Sequence, residues 1–204
     1  MPTAVIALKL TDTVPQIAGD YIGVDRGTLA LLAHGIKAKL AIGDFDSVNE
    51  QEMQQIIENV PEVISLNPIK DDTDSEAAFN EAVKRGYDRI IFLGSLGGRA
   101  DHTLINLRLA YQHPGLVILK DEQNTAEAFV PGIYEIKKED HAYISFFTED
   151  EAEISLEGFK YPLSHCHLTE KDLFTVSNEL DQAVGHFTIH HGTVLMIQSK
   201  DKEQ

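Results

Sequence analysis

The chain has 204 residues, which is ample for one large domain or two small ones, each with a hydrophobic core. It carries 33 acidic residues against 17 lysines and arginines, a formal charge of −16, and such an acidic surface argues against nonspecific nucleic-acid binding. The single cysteine excludes an intramolecular disulfide and a zinc site built from cysteines alone. The N-terminal segment MPTAVIALKLTDTVP lacks the features of a signal peptide or a transmembrane helix, so we expect a soluble cytoplasmic protein that binds no membrane.

Short apolar runs alternate with helical patterns over roughly the first 120 residues, which predicts an α/β domain with a mainly parallel sheet. The helical patterns lie at 27–35, 73–86 and 103–113, and the second opens with Thr73 and Glu76 at the spacing of a capping box. The predicted strands are 4–8, 21–24, 40–42, 62–66, 89–94 and 116–119.

The pattern changes after about residue 123, where short alternating segments are separated by Gly, Pro and acidic turns. This pattern is typical of an antiparallel sandwich or barrel. We therefore predict an α/β domain at 1–122 and an all-β sandwich at 123–204. The predicted strand segments are 125–130, 132–137, 142–148, 152–158, 174–180 and 186–199.

Three polar segments follow predicted strands of the first domain: GDFDS at 43–47, KDDTDSE at 70–76 and GSLGGRADH at 94–102. Ligands of open α/β sheets bind at the carboxyl ends of the strands, where loops and helix N-termini converge. The coincidence of three such segments predicts a binding site at this edge of the sheet.

The first two segments are rich in carboxylates. In an extended segment Asp44 and Asp46 would point to the same side and converge on one ion, and further oxygens would come from Asp71, Asp72 and Asp74. Carboxylate oxygens without His or Cys favour Mg²⁺ or Mn²⁺ over zinc. The alternative is structural, with the aspartates capping a turn and a helix.

The third segment combines glycines with an arginine. Gly94, Gly97 and Gly98 allow the backbone to approach a phosphate group, and Arg99 can clamp the phosphate with two hydrogen bonds. A carboxylate beside a phosphate site would be repelled, so Asp101 must bind a metal, accept a proton or hold a cationic ligand. The alternative is a tight turn in which Asp101 caps the next helix.

Histidines are concentrated near the C-terminus, around the single cysteine. Their adjacent and alternate positions lack the standard spacing of zinc ligands, so we expect no metal role for them and no nucleophilic role for the cysteine. The residues are His165, Cys166, His167, His186, His190 and His191.

Together the segments GDFDSV, KDDTDSE and LGSLGGRADHTLINL closely resemble the motifs of the thiamine pyrophosphokinase family, in that order and at that spacing. The segments GVDRGTLALL, EGFKYPL and TVSNEL also resemble family motifs. The resemblance implies an ATP-dependent, Mg²⁺-requiring enzyme that transfers pyrophosphate to the hydroxyethyl group of thiamine, giving thiamine diphosphate and AMP. It also implies a homodimer with thiamine bound where the domains of two chains meet.

The resemblance assigns roles residue by residue. The resemblance implies that magnesium and the ATP phosphates are bound by Asp44, Asp46, Asp71 and Asp74. Asp72 falls at a variable position of the motif. Catalytic roles are implied for Asp46, Asp74, Arg99 and Asp101. Roles in binding the substrates are implied for Asp25, Gly27, Gly94, Gly97, Gly98, Arg99, Asn106, Ser177 and Asn178.

The implied mechanism is an in-line attack on the β-phosphorus, with Asp46 or Asp101 accepting the hydroxyl proton. Some relatives have Trp after the Gly-x-Lys of the sandwich, whereas this chain has Tyr161 there, so Tyr161 or a Phe would stack on thiamine. Two other functions are compatible with the motifs: a related pyrophosphokinase or Mg²⁺-dependent phosphohydrolase, and a thiamine or nucleotide sensor without turnover.

Overall fold

The computed structural model describes residues 1–67, 73–138 and 142–202, which form two units. The first unit comprises 1–106 and 119–121, and the second comprises the rest of the described chain. The predicted boundary between residues 122 and 123 stays a prediction. Asp71 and Asp72 lie outside the described residues.

Strands and helices alternate through the first part of the chain. The strands are β1 (Thr3–Ala7), β2 (Asp20–Val24), β3 (Ala38–Gly43), β4 (Val63–Ser65), β5 (Arg89–Leu93) and β6 (Val117–Lys120). The helices are α1 (Arg26–Ala33), α2 (Glu50–Asn59), α3 (Asp74–Lys84) and α4 (Ala100–Gln112). All six predicted strands are therefore confirmed within a few residues.

The order β4-β3-β2-β1-β5 runs through the sheet of the first unit, and all these neighbours are parallel. The chain moves outward from β1 to β4 on one side and then returns to place β5 on the other side of β1. A crevice forms where the direction of winding reverses, outside the carboxyl ends of β1 and β5. The sheet topology therefore fixes where a ligand would bind in this unit.

The helix termini depend on local side chains. The Thr73 hydroxyl accepts a hydrogen bond from the Glu76 amide at 3.2 Å, which is one of the two hydrogen bonds of the predicted capping box. Helix α2 was not predicted, although Asn49 and Glu52 form a complete capping box in which each side chain accepts from the other's amide. The Asn-x-x-Glu spacing was the available signal.

The second unit contains two antiparallel sheets. Its strands are β7 (Asn124–Phe129), β8 (Gly132–Lys137), β9 (Tyr143–Phe147), β10 (Glu151–Glu157), β11 (Leu163–Thr169), β12 (Val184–His191) and β13 (Val194–Ser199). In the first sheet, the neighbouring strands β7-β13-β9 are one part of a longer strand order, and the second is a separate four-stranded sheet with the order β11-β10-β12-β8. Strand β11 was not predicted, and the strand predicted at 174–180 is wrong, because that segment forms only isolated bridges at Asn178 and Leu180.

Apolar side chains from both sheets fill the sandwich. Phe146 of β9, Ile154 of β10 and Phe187 of β12 are almost completely buried in one cluster. Alternate residues of β9, β10 and β12 are buried, which explains the alternating sequence pattern of these strands. The predicted fold class, a mainly parallel α/β domain followed by an all-β sandwich, is confirmed. Among the described helices, none combines the length and the apolar character needed to cross a membrane.

Candidate active site

A cavity of about 600 Å³ opens at the carboxyl ends of the parallel strands in the first unit. Its walls come from the segments after β1, β2, β3 and β5 and from the starts of α3 and α4. This is the place that the reversal of strand order predicts for a ligand. Predicted site residues among the lining are Asp25, Asp46, Asp74, Gly94, Gly97, Gly98, Arg99 and Asn106.

Three carboxylates converge beside this cavity. Asp25 follows β2, Asp44 follows β3 and Asp74 begins α3, and one carboxylate oxygen from each lies within 4.8 Å of the other two. The structure thus brings together two of the aspartates predicted as metal ligands. It adds Asp25, for which the resemblance implied a role in binding the substrates but none as a metal ligand.

The position of Asp25 depends on unusual backbone geometry. Asp25 has a φ of 47° and Phe45 a φ of 55°, a region that non-glycine residues occupy at a cost. The Phe45 amide donates to Asp25 Oδ1 at 3.0 Å. A Cβ atom on Gly43 would lie 1.8 Å from that same oxygen, so the close approach of Asp25 to the end of β3 requires glycine.

The structure corrects the prediction that Asp44 and Asp46 share one face of an extended segment. Strand β3 ends at Gly43, and the left-handed Phe45 turns its own ring into the core. The Asp46 amide then donates to Asp44 Oδ1 at 3.1 Å, and the exposed Asp46 side chain lines the cavity. The two carboxylates therefore have different surroundings, with Asp44 in the cluster and Asp46 facing the cavity.

Burial and the neighbouring carboxylates raise the pKa of Asp25 from an ordinary 3.8 to about 6, with burial as the larger cause and the hydrogen bond from Phe45 opposing both. Negative charges from Asp74, Asp44 and Asp46 add to the effect of burial. A cation bound beside Asp25 would favour the ionised form of its carboxylate.

This shift predicts a pH dependence of stability. Because the folded chain holds the Asp25 proton more tightly than the unfolded chain, the folded state loses stability as the pH rises from about 4 through about 6. Asp25→Asn keeps the acceptor for the Phe45 amide and removes the charge, so we expect a higher melting temperature than wild type at pH 7.5 and no gain at pH 4. Thermal denaturation in Mg²⁺-free buffer at both pH values measures this difference, and an equal effect at both would contradict it.

The glycine-rich loop after β5 is held in an open conformation. Gly94, Gly97 and Gly98 all have positive φ, and a Cβ on Gly94 would lie 2.5 Å from the Leu10 carbonyl carbon. The Thr103 hydroxyl accepts from the Gly97 amide at 3.1 Å and donates to the Gly97 carbonyl at 3.0 Å, which fixes the loop to α4. The glycines are therefore needed for the shape of the loop as well as for access to it.

Arg99 and Asp101 form an exposed pair at the entrance to α4. Arg99 Nη2 lies 2.5 Å from Asp101 Oδ2, and Arg99 Nε donates to Asp101 Oδ1 at 3.1 Å. The guanidinium lowers the pKa of Asp101 to about 2. Since Arg99 uses Nε and one nitrogen of its fork in this pair, its remaining N–H groups can bind an anion.

Asn106 has a supporting position within the site. It is buried on α4, and its Nδ2 donates to the Ser95 carbonyl at 2.8 Å. Gly27, by contrast, does not line the cavity: a Cβ there would lie 2.0 Å from the Ala7 carbonyl oxygen, so this glycine lets α1 pack against the end of β1.

Comparisons with known proteins identify the family of this chain. Residues 17–119 match the family model described as the catalytic domain of thiamin pyrophosphokinase, and residues 133–194 match its vitamin B1 binding domain. The thiamine pyrophosphokinase of Bacillus subtilis is 43% identical over 187 residues, which span 89% of this chain and 87% of the relative. The chain belongs to the thiamin pyrophosphokinase family.

Solved structures place the fold in the same family. A thiamine pyrophosphokinase structure from Bacillus subtilis has a TM-score of 0.88 at 38% identity, covering 98% of this chain and all of that one. A structure from Geobacillus thermodenitrificans has a TM-score of 0.84 at 32% identity and covers 100% of this chain and 99% of that one. The enzyme family predicted from the motifs is confirmed.

The family's second domain contains the predicted residues Ser177 and Asn178. Asn178 is buried, and its Oδ1 accepts from the Tyr161 and Glu179 amides while its Nδ2 donates to the Tyr161 carbonyl. Ser177 has a φ of 55° and its amide donates to the Ser145 hydroxyl at 3.1 Å. Asn178 thus holds the segment that presents the exposed Tyr161 ring.

Sequence reasoning missed several residues of the cavity. Lys9 follows β1 and lines the cavity, and a lysine directly after the first strand was the available signal. Arg26 was also missed: it donates to the Ser47 carbonyl at 2.9 Å and pairs with Glu52 at 2.8 Å, which holds the loop after β3. Such a contact between distant segments leaves no local pattern in the sequence. The other missed lining residues are Leu8, Leu10, Val24, Ser47, Ser75, Ser95 and His102.

Proposed function

We propose that this chain transfers the pyrophosphoryl group of ATP to the hydroxyethyl oxygen of thiamine, giving thiamine diphosphate and AMP. The observation that supports it is the cavity of the first unit, where the carboxylate cluster, the glycine-rich loop and Arg99 meet at the reversal of strand order. Clustered carboxylates and a glycine-rich loop with an arginine are the parts that phosphoryl-transfer sites combine.

The donor set suits Mg²⁺. Asp25, Asp44 and Asp74 offer hard carboxylate oxygens close together. Burial, with the neighbouring negative charges, raises the pKa of Asp25, and a cation bound beside it would favour its ionised form. When bound, Mg²⁺ supplies positive charge to the phosphate oxygens. Asp46 lines the same cavity, and Asp71 remains a proposed ligand from outside the described residues.

The basic side chains, the glycine-rich loop and the carboxylates of the site have different roles. Lys9 and the free N–H groups of Arg99 bind phosphate oxygens of ATP, and the glycine-rich loop admits the triphosphate. Asp101 orients Arg99 through their paired contacts. Because Arg99 lowers the pKa of Asp101 to about 2, Asp101 is a weak base, and we assign the acceptance of the hydroxyl proton to Asp46.

The test is a coupled assay for AMP, run with ATP and Mg²⁺ in the presence and absence of thiamine. Thiamine-dependent AMP together with thiamine diphosphate is the expected result. Thiamine-independent release of phosphate would instead support a phosphohydrolase, and tight binding of both ligands without AMP would support a sensor. The need for ATP as co-substrate supports a cytoplasmic location.

The second unit supplies an aromatic surface for thiamine. Tyr161 is 58% exposed, and the Asn178 side chain holds its backbone on both sides. Thiamine carries a positive charge on its thiazolium ring, and an exposed aromatic face attracts such a cation by about 0.5–2 kcal/mol. We assign this contact to Tyr161 and the support of its segment to Asn178 and Ser177.

We expect Tyr161→Ala to raise the KM for thiamine about 10-fold, as loss of one cation–π contact predicts, while the KM for ATP stays unchanged. Tyr161→Phe retains the ring and serves as the matched control. Steady-state kinetics with each substrate varied in turn measure both constants. An equal rise for both substrates, or a rise with Phe as large as with Ala, would contradict the assignment.

A homodimer is the proposed assembly, with the thiamine site at its interface. Leu173, Phe174 and Val176 are 83%, 56% and 45% exposed, close in sequence to Ser177. A cluster of exposed apolar side chains is typical of a surface that a partner covers. Analytical ultracentrifugation of the full chain would show a dimer, and Phe174→Glu would shift it toward monomer.

A further inference from the structure

A second group of potential metal ligands lies on the four-stranded sheet of the sandwich, separate from the cavity. Glu153 of β10, His165 of β11 and His190 of β12 each place one ligand atom within 4.8 Å of the other two. We propose that these three side chains bind a zinc ion. This site is independent of the proposed pyrophosphate transfer.

The strands are shaped to bring the two imidazoles together. Between β10 and β11 the pairing runs from Ile154 with Cys166 to Leu156 with Leu163, which leaves an extra residue in β11 where His165 has a φ of 47°. Between β10 and β12 a second register shift leaves His190 as the extra residue. Bulges redirect side chains and are common beside functional sites. Two such bulges are present here, one in each of the strands β11 and β12 that flank β10.

The result is a compact set of nitrogen and oxygen atoms. The two imidazole rings are stacked with centroids 4.1 Å apart, and His165 Nδ1 lies 2.5 Å from Glu153 Oε1. The Ser155 hydroxyl lies 2.8 Å from His190 Nε2 and accepts from the His165 amide at 2.9 Å. Ser155 therefore orients both histidine-bearing segments, as residues around metal ligands commonly do.

Two imidazoles and one carboxylate form a donor set that zinc prefers. Zinc binds this combination with a fourth position left for water or another ligand, whereas Mg²⁺ prefers oxygen donors. Cys166 is excluded as a fourth ligand because its side chain packs against the sandwich core. The exposure of His165, whose side chain is 67% accessible, lets the ion enter directly from solvent.

The neighbouring histidines have other partners and provide matched controls. His167 lies 3.7 Å from Glu151, and His186 lies 3.9 Å from Glu135. Both are exposed on the same sheet, but they do not belong to the three-residue group. The sequence spacing did not reveal the site because the ligands come from three strands and two of them depend on bulges.

The ion would join three adjacent strands, so zinc should raise the melting temperature of the folded chain by mass action. We would titrate zinc against a chromophoric chelator, using the full chain with excess Mg²⁺ to fill the carboxylates of the cavity. Wild type and His186→Ala should each bind one zinc ion per chain and melt at a higher temperature with zinc.

His165→Asn, His190→Ala and Glu153→Gln should each weaken zinc binding at least about 10-fold, a loss of the size seen when groups around a metal are removed. Asn is chosen at residue 165 because it tolerates a positive φ. Thiamine-dependent AMP formation and circular dichroism confirm that each variant is folded. Failure of wild type to bind zinc, unchanged affinity in the three variants, or an equal loss in His186→Ala would overturn the proposal.

Discussion

Asp44→Asn should lower the rate of AMP formation about 10³-fold, the size of effect expected when one charged group that stabilises a transition state is removed. Asp44 contributes one of the oxygens in the carboxylate cluster, and the amide oxygen of Asn can still accept the hydrogen bond from the Asp46 backbone. The loop therefore keeps its shape while the cluster loses a negative charge. Steady-state kinetics over a range of Mg²⁺ concentrations measure the loss.

The matched control is Asp88→Asn. Asp88 is exposed and directly precedes β5, at the opposite end of the strands from the cavity, so it changes the net charge equally without touching the site. We expect wild-type rates for this variant. If both variants lost activity alike, or if Asp44→Asn kept wild-type rates, the carboxylate cluster would have no part in the reaction.

Gly43→Ala should reduce kcat/KM about 100-fold, because a displacement of about 1 Å in a reacting group has costs of this order. The new Cβ would lie 1.8 Å from Asp25 Oδ1 and 2.6 Å from its carboxyl carbon, so the Asp25 side chain must move. That movement breaks the hydrogen bond from the Phe45 amide and disperses the cluster. We also expect a loss of about 1–3 kcal/mol in the free energy of unfolding, which is typical of overpacking.

Gly35→Ala separates the effect on the site from the effect on stability. Gly35 follows α1 with a φ of 69°, and a Cβ there would meet nothing within 4 Å. The strained backbone alone should cost about 1–2 kcal/mol, with activity unchanged below the melting temperature. Chemical denaturation and the AMP assay, run on both variants, compare the two losses. A drop in activity with Gly35→Ala as large as with Gly43→Ala would show that stability alone accounts for the effect.

The periodic parts of the fold were predictable because their signals are local. In the strand at 89–93 an exposed Arg89 is followed by four consecutive buried apolar residues, and the helix at 74–84 is capped by the adjacent Thr73. Strand β11 was not predicted, because a bulge at His165 interrupts the alternation in its sequence, Leu-Ser-His-Cys-His-Leu. Alternation is the signal for a strand, and a bulge removes it.

The site was predictable in its parts and not in its arrangement. Aspartates and glycines that follow parallel strands are expected to lie close together, since the carboxyl ends of those strands share one edge of the sheet. We assumed an extended backbone through Phe45 and so expected the carboxylates of Asp44 and Asp46 to converge. Phe45 instead has a φ of 55°, which turns the Asp46 side chain away from that of Asp44. Asp25 joins the cluster instead, through a contact with a segment 20 residues away.

By itself the sequence determined the family, the two kinds of domain and the residue types of the candidate site, because motifs and periodicity are carried by residues close together in the chain. The tertiary structure decided which carboxylates lie close together, that Asp101 pairs with Arg99, and that Glu153 lies beside two histidines. Those relations depend on strand order, on bulges and on residues with positive φ. Each of them joins segments that are distant in sequence, so no local pattern records them.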